Sequence, residues 1–406
     1  MHILLVHQVF LSAHDSGGTR HYEFARHCIN AGHQFSVVAS DVNYLTGRPI
    51  DAPPDQTVDG IRVVRAHMPA AIHRSFWHRV AAFITFMFSA VRAALNIKDV
   101  DLVMGTSPPL FQAVSAWFVS AIKRKPFLLE IRDLWPEFAI DMGVLKNPVL
   151  IWVARRLERF LYRRATHILV NSPAYRDYLM DRHGVADTRI TVIPNGVDPA
   201  MFDPAETGQA VRQELGLEGK FLVVYAGAIG PANDIATLVS AAERLQDAPG
   251  VHLLLFGDGK DRSRVEQLAA KRKLTNITFG GLRPKSQMKQ ALGAADVCVA
   301  TLLSIPMFTT TYPNKIFDYM AAGRPIVCGI DGVIRKVVED ADAGVFAQPG
   351  DDEAIARAIR RLRADPEEAA AMGRRGRDYV SEHFNRAEHA LQFRELAERV
   401  AGARRN

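Results

Sequence analysis

Short apolar, β-branched runs alternate with segments whose apolar residues recur every three to four positions along the whole chain. In the first half, the runs at 2–6, 35–39, 61–65, 101–105, 127–131, 167–171 and 190–193 read as strands. In the second half, those at 221–226, 251–256, 276–280, 296–300, 325–328 and 344–346 do so. Amphipathic stretches at 20–31, 151–164, 173–182, 235–246, 261–272, 285–294, 351–364 and 366–381 predict intervening helices. Such alternation calls for parallel sheets with helices on both faces, and two such series predict an α/β protein of two doubly wound, Rossmann-like domains. The turn-rich stretch from Asp198 to Pro204 marks a boundary near 198–218, giving domains at 1–200 and 201–380. A closing helix over 381–406 carries an apolar stripe of Phe384, Ala387, Ala390, Leu391, Phe393, Leu396 and Val400, whose spacing does not say which domain it joins.

Composition narrows this picture. The 406 residues are 48% apolar and 23% charged, as in a globular protein and unlike a disordered one. Three cysteines without a CxxC pair argue against a disulfide scaffold or zinc ribbon and suit a reducing compartment. The first seven residues lack a basic leader region and read as a buried strand, so the expected location is cytoplasmic. No run reaches 18 apolar residues, so no spanning helix is expected. The net charge of +6 is uneven: residues 62–164 hold 16 basic and 7 acidic residues, whereas the second half is nearly balanced. An anionic partner therefore belongs to the first half. No aromatic-interleaved basic run supports nucleic acid as that partner. Residues 76–95 are almost wholly apolar, with Arg79 and Arg92 near the ends. They form either a core helix or one lying among lipid headgroups, and the neighbouring basic excess favours an anionic membrane surface.

Glycine turns supply the first candidate chemistry. Gly17-Gly18 precedes a predicted helix, Gly227 and Gly230 end the first strand of the second half, and Gly257 and Gly259 end the next. Glycine at strand ends lets a phosphate approach the backbone, although each is also an ordinary turn. From Pro313 a short helix begins, with Asn314, Lys315 and Asp318 in its first turns. Lys315 there could hold a diphosphate and Asp318 two ribose hydroxyls; the alternative is an i,i+3 surface ion pair. Arg132, Asp133, Trp135 and Glu137 follow a predicted strand end, where doubly wound folds place sites: as catalytic residues, Arg132 would lie near a diphosphate or acceptor phosphate and Asp133 or Glu137 would orient an acceptor hydroxyl; the alternative is a loop-stabilising ion pair with Trp135 in the core. Asp99-Val100-Asp101 and Asp340-Ala341-Asp342 read as turns or caps rather than metal ligands, and the nine histidines of the first 100 residues form no HxH or HExxH pair.

Several ordered motifs give these residues a family resemblance: 17–23, Thr106-Ser107-Pro108-Pro109, 130–137, 192–198, Gly257-Asp258-Gly259 and 313–325. The chain resembles a family 4 glycosyltransferase of the GT-B fold, and is most similar to the bacterial branch that includes the O-antigen L-fucosamine transferases. The resemblance implies two domains facing a cleft, with a UDP-sugar donor on the second and an acceptor on the first. It implies transfer with retention of configuration, without metal or other cofactor, and a final helix crossing back to the first domain. The implied acceptor is a polyprenyl-diphosphate-linked saccharide at the inner face of the cytoplasmic membrane, in O-antigen, capsule or exopolysaccharide assembly. An N-acetylated deoxyamino sugar is suggested as the donor group. Asp318 matches the second acid of the E-x7-E signature, while the first falls on Thr310. The usual Arg and Lys after the first strand of the second domain fall on Ala228 and Asn233, and the usual His of the first-domain HD pair falls on Arg132. The expected replacements for diphosphate neutralisation are Lys315, Arg132 and Arg283. Expected acceptor contacts are Arg20, His21, Trp135 and Asn195. Two alternatives stay open: a non-catalytic nucleotide-sugar-binding subunit and a nucleotide-sugar isomerase of the same fold.

Overall fold

The computed structural model describes residues 1–10, 19–43, 47–70, 74–203, 205–284 and 287–403. The chain forms two compact units, Met1–Pro194 with Ala387–Asn406, and Asn195–Arg386.

Among the described residues, the first unit is built on eight strands: β1 (His2–Val6), β2 (Gln34–Ser40), β3 (Asp55–Val58), β4 (Ile61–Ala66), β5 (Leu102–Ser107), β6 (Phe127–Ile131), β7 (His167–Val170) and β8 (Ile190–Val192). Their order is β3-β4-β2-β1-β5-β6-β7-β8, parallel except for the β3–β4 pair. Ile3 stands opposite both Phe35 and Leu102, so β1 lies at the centre. Its five residues are all buried, because helices cover both faces and leave no polar side to alternate with.

The second unit holds six parallel strands: β9 (Phe221–Ala226), β10 (Val251–Phe256), β11 (Ile277–Gly281), β12 (Val297–Thr301), β13 (Ile326–Gly329) and β14 (Gly344–Phe346), ordered β11-β10-β9-β12-β13-β14. The winding direction reverses between β1 and β5 in the first unit and between β9 and β12 in the second. Open sheets gather ligands outside the carboxyl ends of the strands at such reversals.

Every predicted strand forms, and one short edge strand, β3, appears in addition. The apolar stripe of the closing helix divides at its start. Phe384 stacks on Phe317 at 4.5 Å in the second unit. Phe393 stacks on Phe24 at 4.3 Å, and Ala390, Leu396, Ala397 and Val400 join it in the core of the first. Helix Phe76–Leu95 departs from the expectation that nothing reaches membrane-spanning length. The stretch Trp77–Leu95 is long and apolar enough to cross a membrane by length and composition. In the fold, Ala82, Phe86, Ala90 and Ala94 bury one face fully, while Trp77, Ile84 and Phe88 stay exposed.

Candidate active site

In the second unit, the strand ends at the reversal are woven together by their backbones. The amide of Gly227 donates to Phe256 and that of Ile229 donates to Asp258. A Cβ on Gly257 would lie 1.8 Å from the Gly227 carbonyl oxygen, and one on Gly259 would lie 2.3 Å from that of Ile229. Those two glycines are therefore required by this crossing of loops, which accounts for them without a ligand. Gly230 opens a short 3₁₀ turn, where a Cβ would meet the Asn233 side chain at an ordinary contact distance of 3.8 Å.

Lys315 occupies the first turn of helix Asn314–Ala321, entered from Pro313 in extended conformation. Its amine donates to the Tyr225 hydroxyl and to Asn233 Oδ1, each at 2.8 Å, and lies 4.4 Å from the centre of the Tyr225 ring. A side chain at Gly227 would crowd that amine at 3.2 Å. Burial pushes the Lys315 amine down to about 7. A lysine from a later helix thus reaches the loop after β9, where the two expected basic positions are Ala228 and Asn233. Asn233 is its hydrogen-bond acceptor rather than a gap. Asp318 is half-buried one turn on, Asn314 is exposed, and the Thr310 hydroxyl donates to the Met307 carbonyl at 2.6 Å. Asn195 Nδ2 donates to the Tyr312 carbonyl at 3.4 Å.

Arg283, the expected third basic group, is already engaged by an acid. Its guanidinium makes two hydrogen bonds to Glu214, at 2.6 and 3.0 Å, and stacks over Phe256. The partner lies 69 residues away in sequence, beyond the reach of motif spacing.

In the first unit, Gly17 and Gly18 lie outside the described residues. Arg20 and His21 converge on Glu130, which is fully buried. Arg20 Nε donates to Glu130 at 2.9 Å, and His21 Nε2 lies 2.5 Å from the other carboxylate oxygen. Arg20 also donates to the carbonyls of Ile193 and Pro194 at 2.7 Å. These two residues brace β6 against the end of β8, a bracing role where acceptor contact was expected. Burial opposes ionisation of Glu130, but His21, Arg20 and Arg132 outweigh it and hold the carboxyl well below its usual range. Burial pushes the His21 imidazole down, consistent with a neutral ring donating to Glu130. Glu137 is likewise engaged: Arg155 grips both its oxygens, at 2.7 and 3.0 Å, so it is not free to orient an acceptor hydroxyl.

What remains at the reversal is a row of buried polar atoms without a hydrogen-bond partner among the described residues. His7 Nδ1 and Gln8 Oε1 follow β1, Thr106 Oγ1 and Ser107 Oγ end β5, Arg132 Nε follows β6 and Asn171 Oδ1 follows β7. Leaving such a group unpaired costs about 1–3 kcal/mol, so six on one sheet edge mark a place prepared for a polar ligand. Asp133 sits beside it, its carboxyl pushed up by burial to about 6 against the pull of Arg132. Asp133 and Trp135 also line an adjoining cavity of about 470 Å³. Asn171 and Tyr225 were not singled out from sequence; their position immediately at strand ends was the signal that could have found them.

Among the described residues no group of three His, Cys, Asp or Glu comes together to hold a metal. Asp101 accepts from the His2 amide, Asp340 pairs with Lys336 and Asp342 with Arg375, so these acids have structural partners.

Two family descriptions match the chain: a glycosyl transferase 4-like domain over residues 17–196 and glycosyl transferases group 1 over residues 209–379. The alpha-maltose-1-phosphate synthase of Mycolicibacterium smegmatis is 30% identical over 61% of this chain and 67% of its own length. The chain is a family 4 glycosyltransferase. The D-inositol 3-phosphate glycosyltransferase of Segniliparus rotundus is 29% identical over 53% of this chain, and the match spans 48% of that enzyme. The chain thus spans about half to two thirds of the length of these relatives. Among solved structures, sucrose-phosphate synthase from Thermosynechococcus elongatus aligns over 99% of both chains with a TM-score of 0.78 at 21% identity. Anabaena Alr3699/HepE in complex with UDP-glucose aligns over 98% of this chain and all of that one, with a TM-score of 0.74 at 20% identity. Both likenesses give this glycosyltransferase the GT-B fold.

Proposed function

We propose that this glycosyltransferase takes a UDP-sugar in its second unit and transfers the sugar, with retention and without a metal, to a lipid-diphosphate-linked saccharide held by its first. The placement of the Lys315 amine at the end of β9, beside Gly227 and on Asn233, carries the donor half of this reading. A compact ammonium there neutralises the departing diphosphate, and Asp318 one turn later accepts from the ribose hydroxyls. The complex of the GT-B neighbour HepE with UDP-glucose supports a uridine nucleotide. The row of unpaired atoms at the β1–β5 reversal supports a polar acceptor, with Asp133 facing the hydroxyl that attacks. The branch resemblance supports a deoxyamino sugar, surface polysaccharide assembly and work at the inner face of the cytoplasmic membrane.

Calorimetric titration with UDP, GDP and ADP, first in EDTA and then in magnesium, tests the donor half. UDP binding that ignores EDTA and exceeds GDP and ADP is expected; binding that appears only with magnesium overturns metal independence. The engagement of Arg283 by Glu214 supports a second reading, a nucleotide-sugar-binding subunit without turnover. Consumption of a UDP-sugar by the purified protein excludes it.

A further inference from the structure

The cavity beside Asp133 has a chemistry unlike that of the strand-end edge it adjoins. It is walled by helix Phe76–Leu95, through Trp77 and Phe83, and by helix Pro148–Arg164, through Leu150 and Val153, with Phe111 and Trp135 between them. Among the described residues, its charged lining is Arg79 and Asp133, and Gln8 is the one other polar side chain that is not aromatic. A saccharide or a peptide backbone placed there would leave its polar groups unpaired. A hydrocarbon segment would not, and about 470 Å³ lies within the size range of small-ligand sites.

The cavity does not stand alone. Gln8, Pro108 and Asp133 line it, and they either belong to the unpaired edge or directly follow Ser107 and Arg132 in it. One end therefore meets unsatisfied polar atoms, including the Arg132 guanidinium, and Arg79 is a further positive charge in the lining. Val153, Val144 and Trp77 line the cavity and are exposed, so it opens to solvent past apolar side chains, and Val149 and Trp152 extend the apolar surface along the same helix as Val153. A molecule that fits has an anionic polar group at one end and an aliphatic chain running outward from it.

We propose that this cavity binds the hydrocarbon segment next to the phosphate of the acceptor, so that the strand-end edge receives the polar head while the chain leaves between the two helices. The proposal rests on the lipid-linked acceptor reading and gives it a location. It makes the aliphatic chain a recognised part of the acceptor and not only its membrane tether.

Farnesyl diphosphate, kept below its aggregation concentration, and inorganic diphosphate serve as probes, titrated into the full chain by calorimetry. The farnesyl compound is expected to bind at least about tenfold tighter. Val153→Asp, at a position 48% exposed and so tolerant of a charge, is expected to remove that advantage. Inorganic diphosphate and UDP binding should stay unchanged in the same variant, which also reports intact folding. Leu150→Glu, on the same wall, should act likewise. Equal binding of the two probes, or a farnesyl affinity indifferent to both variants, overturns the proposal. So does tight, Val153→Asp-sensitive binding of dioleoylphosphatidylglycerol vesicles without binding of farnesyl diphosphate, which would make the face a bilayer contact. If UDP fails to bind but the farnesyl probe binds with the expected sensitivity, the donor reading falls and the cavity assignment stands.

Discussion

At the residue scale, Lys315 and Glu130 are opposite solutions to burying a charge. Glu130 has no exposure and is met by a guanidinium and an imidazole, whereas among the described residues Lys315 donates to neutral acceptors, a hydroxyl and an amide oxygen. Its ammonium therefore awaits an anion. Replacing Lys315 with Met is expected to weaken UDP binding by about 1.5–3 kcal/mol, roughly ten- to a hundredfold, measured by calorimetry. The pH dependence follows in sign. Burial lowers the free protein's amine to about 7, and a bound diphosphate raises it again. Binding above pH 7 must then take up a proton, so UDP affinity should fall by up to about tenfold per pH unit there, and Lys315→Met should flatten that slope. For Glu130 the folded carboxyl lies below its unfolded value of about 4.3. Its contribution to stability is complete above that value and is lost as pH falls below it. Glu130→Gln should lower the denaturation midpoint near neutral pH and weaken its acid dependence, as read by urea unfolding at a series of pH values.

At the element scale, sequence and structure agree where a run is buried on both sides and diverge where a partner is distant. The strands from His2–Val6 to Gly344–Phe346 announce themselves because a covered parallel strand carries a nearly continuous apolar run. The edge strand Asp55–Val58 does not, because its alternating half-exposed and exposed residues bury little. Lys315 was legible from its motif, but its target was not, since Tyr225 precedes it by 90 residues. Glu137 looked catalytic because it follows a strand end, and Arg283 looked like a replacement cation for the diphosphate; Arg155 and Glu214, which engage them, carry no local signal. Thr106 and Ser107 stood in the family motif without a role, and their hydroxyls belong to the unpaired edge. The closing helix offers a prediction of its own. Phe393 is fully buried against Phe24, so Phe393→Ala should destabilise the first unit by about 3–5 kcal/mol. A two-step denaturation profile in which the second unit's transition stays put would show that the helix belongs to the first.

At the scale of the whole molecule, the asymmetry of charge becomes an asymmetry of surface. The basic excess of residues 62–164 includes Arg156, Arg159, Arg163 and Arg164, which gather around Phe160 on the helix that also exposes Val149, Trp152 and Val153. Arg156 lies over the Trp152 ring and Arg164 over that of Phe160. Apolar side chains edged by guanidinium groups suit a bilayer with anionic headgroups. Sedimentation with phosphatidylglycerol vesicles is expected, weakening as salt rises. Trp77→Asp with Phe88→Asp should reduce it, with no effect on UDP titration. Retained sedimentation in that double variant would move the contact away from helix Phe76–Leu95.

The seam at the boundary has a consequence for how the chain can be divided. Val197 bridges Asn385 in parallel, its amide donates to Phe384, and its carbonyl receives the amide of Arg386. The outgoing and returning passages of the polypeptide are thus stitched side by side. Topologically the second unit is a cassette inserted into the first, with its two ends already adjacent. A gene segment encoding residues 195–386 is a natural excision, whereas the host unit needs its two separate pieces rejoined before it can fold.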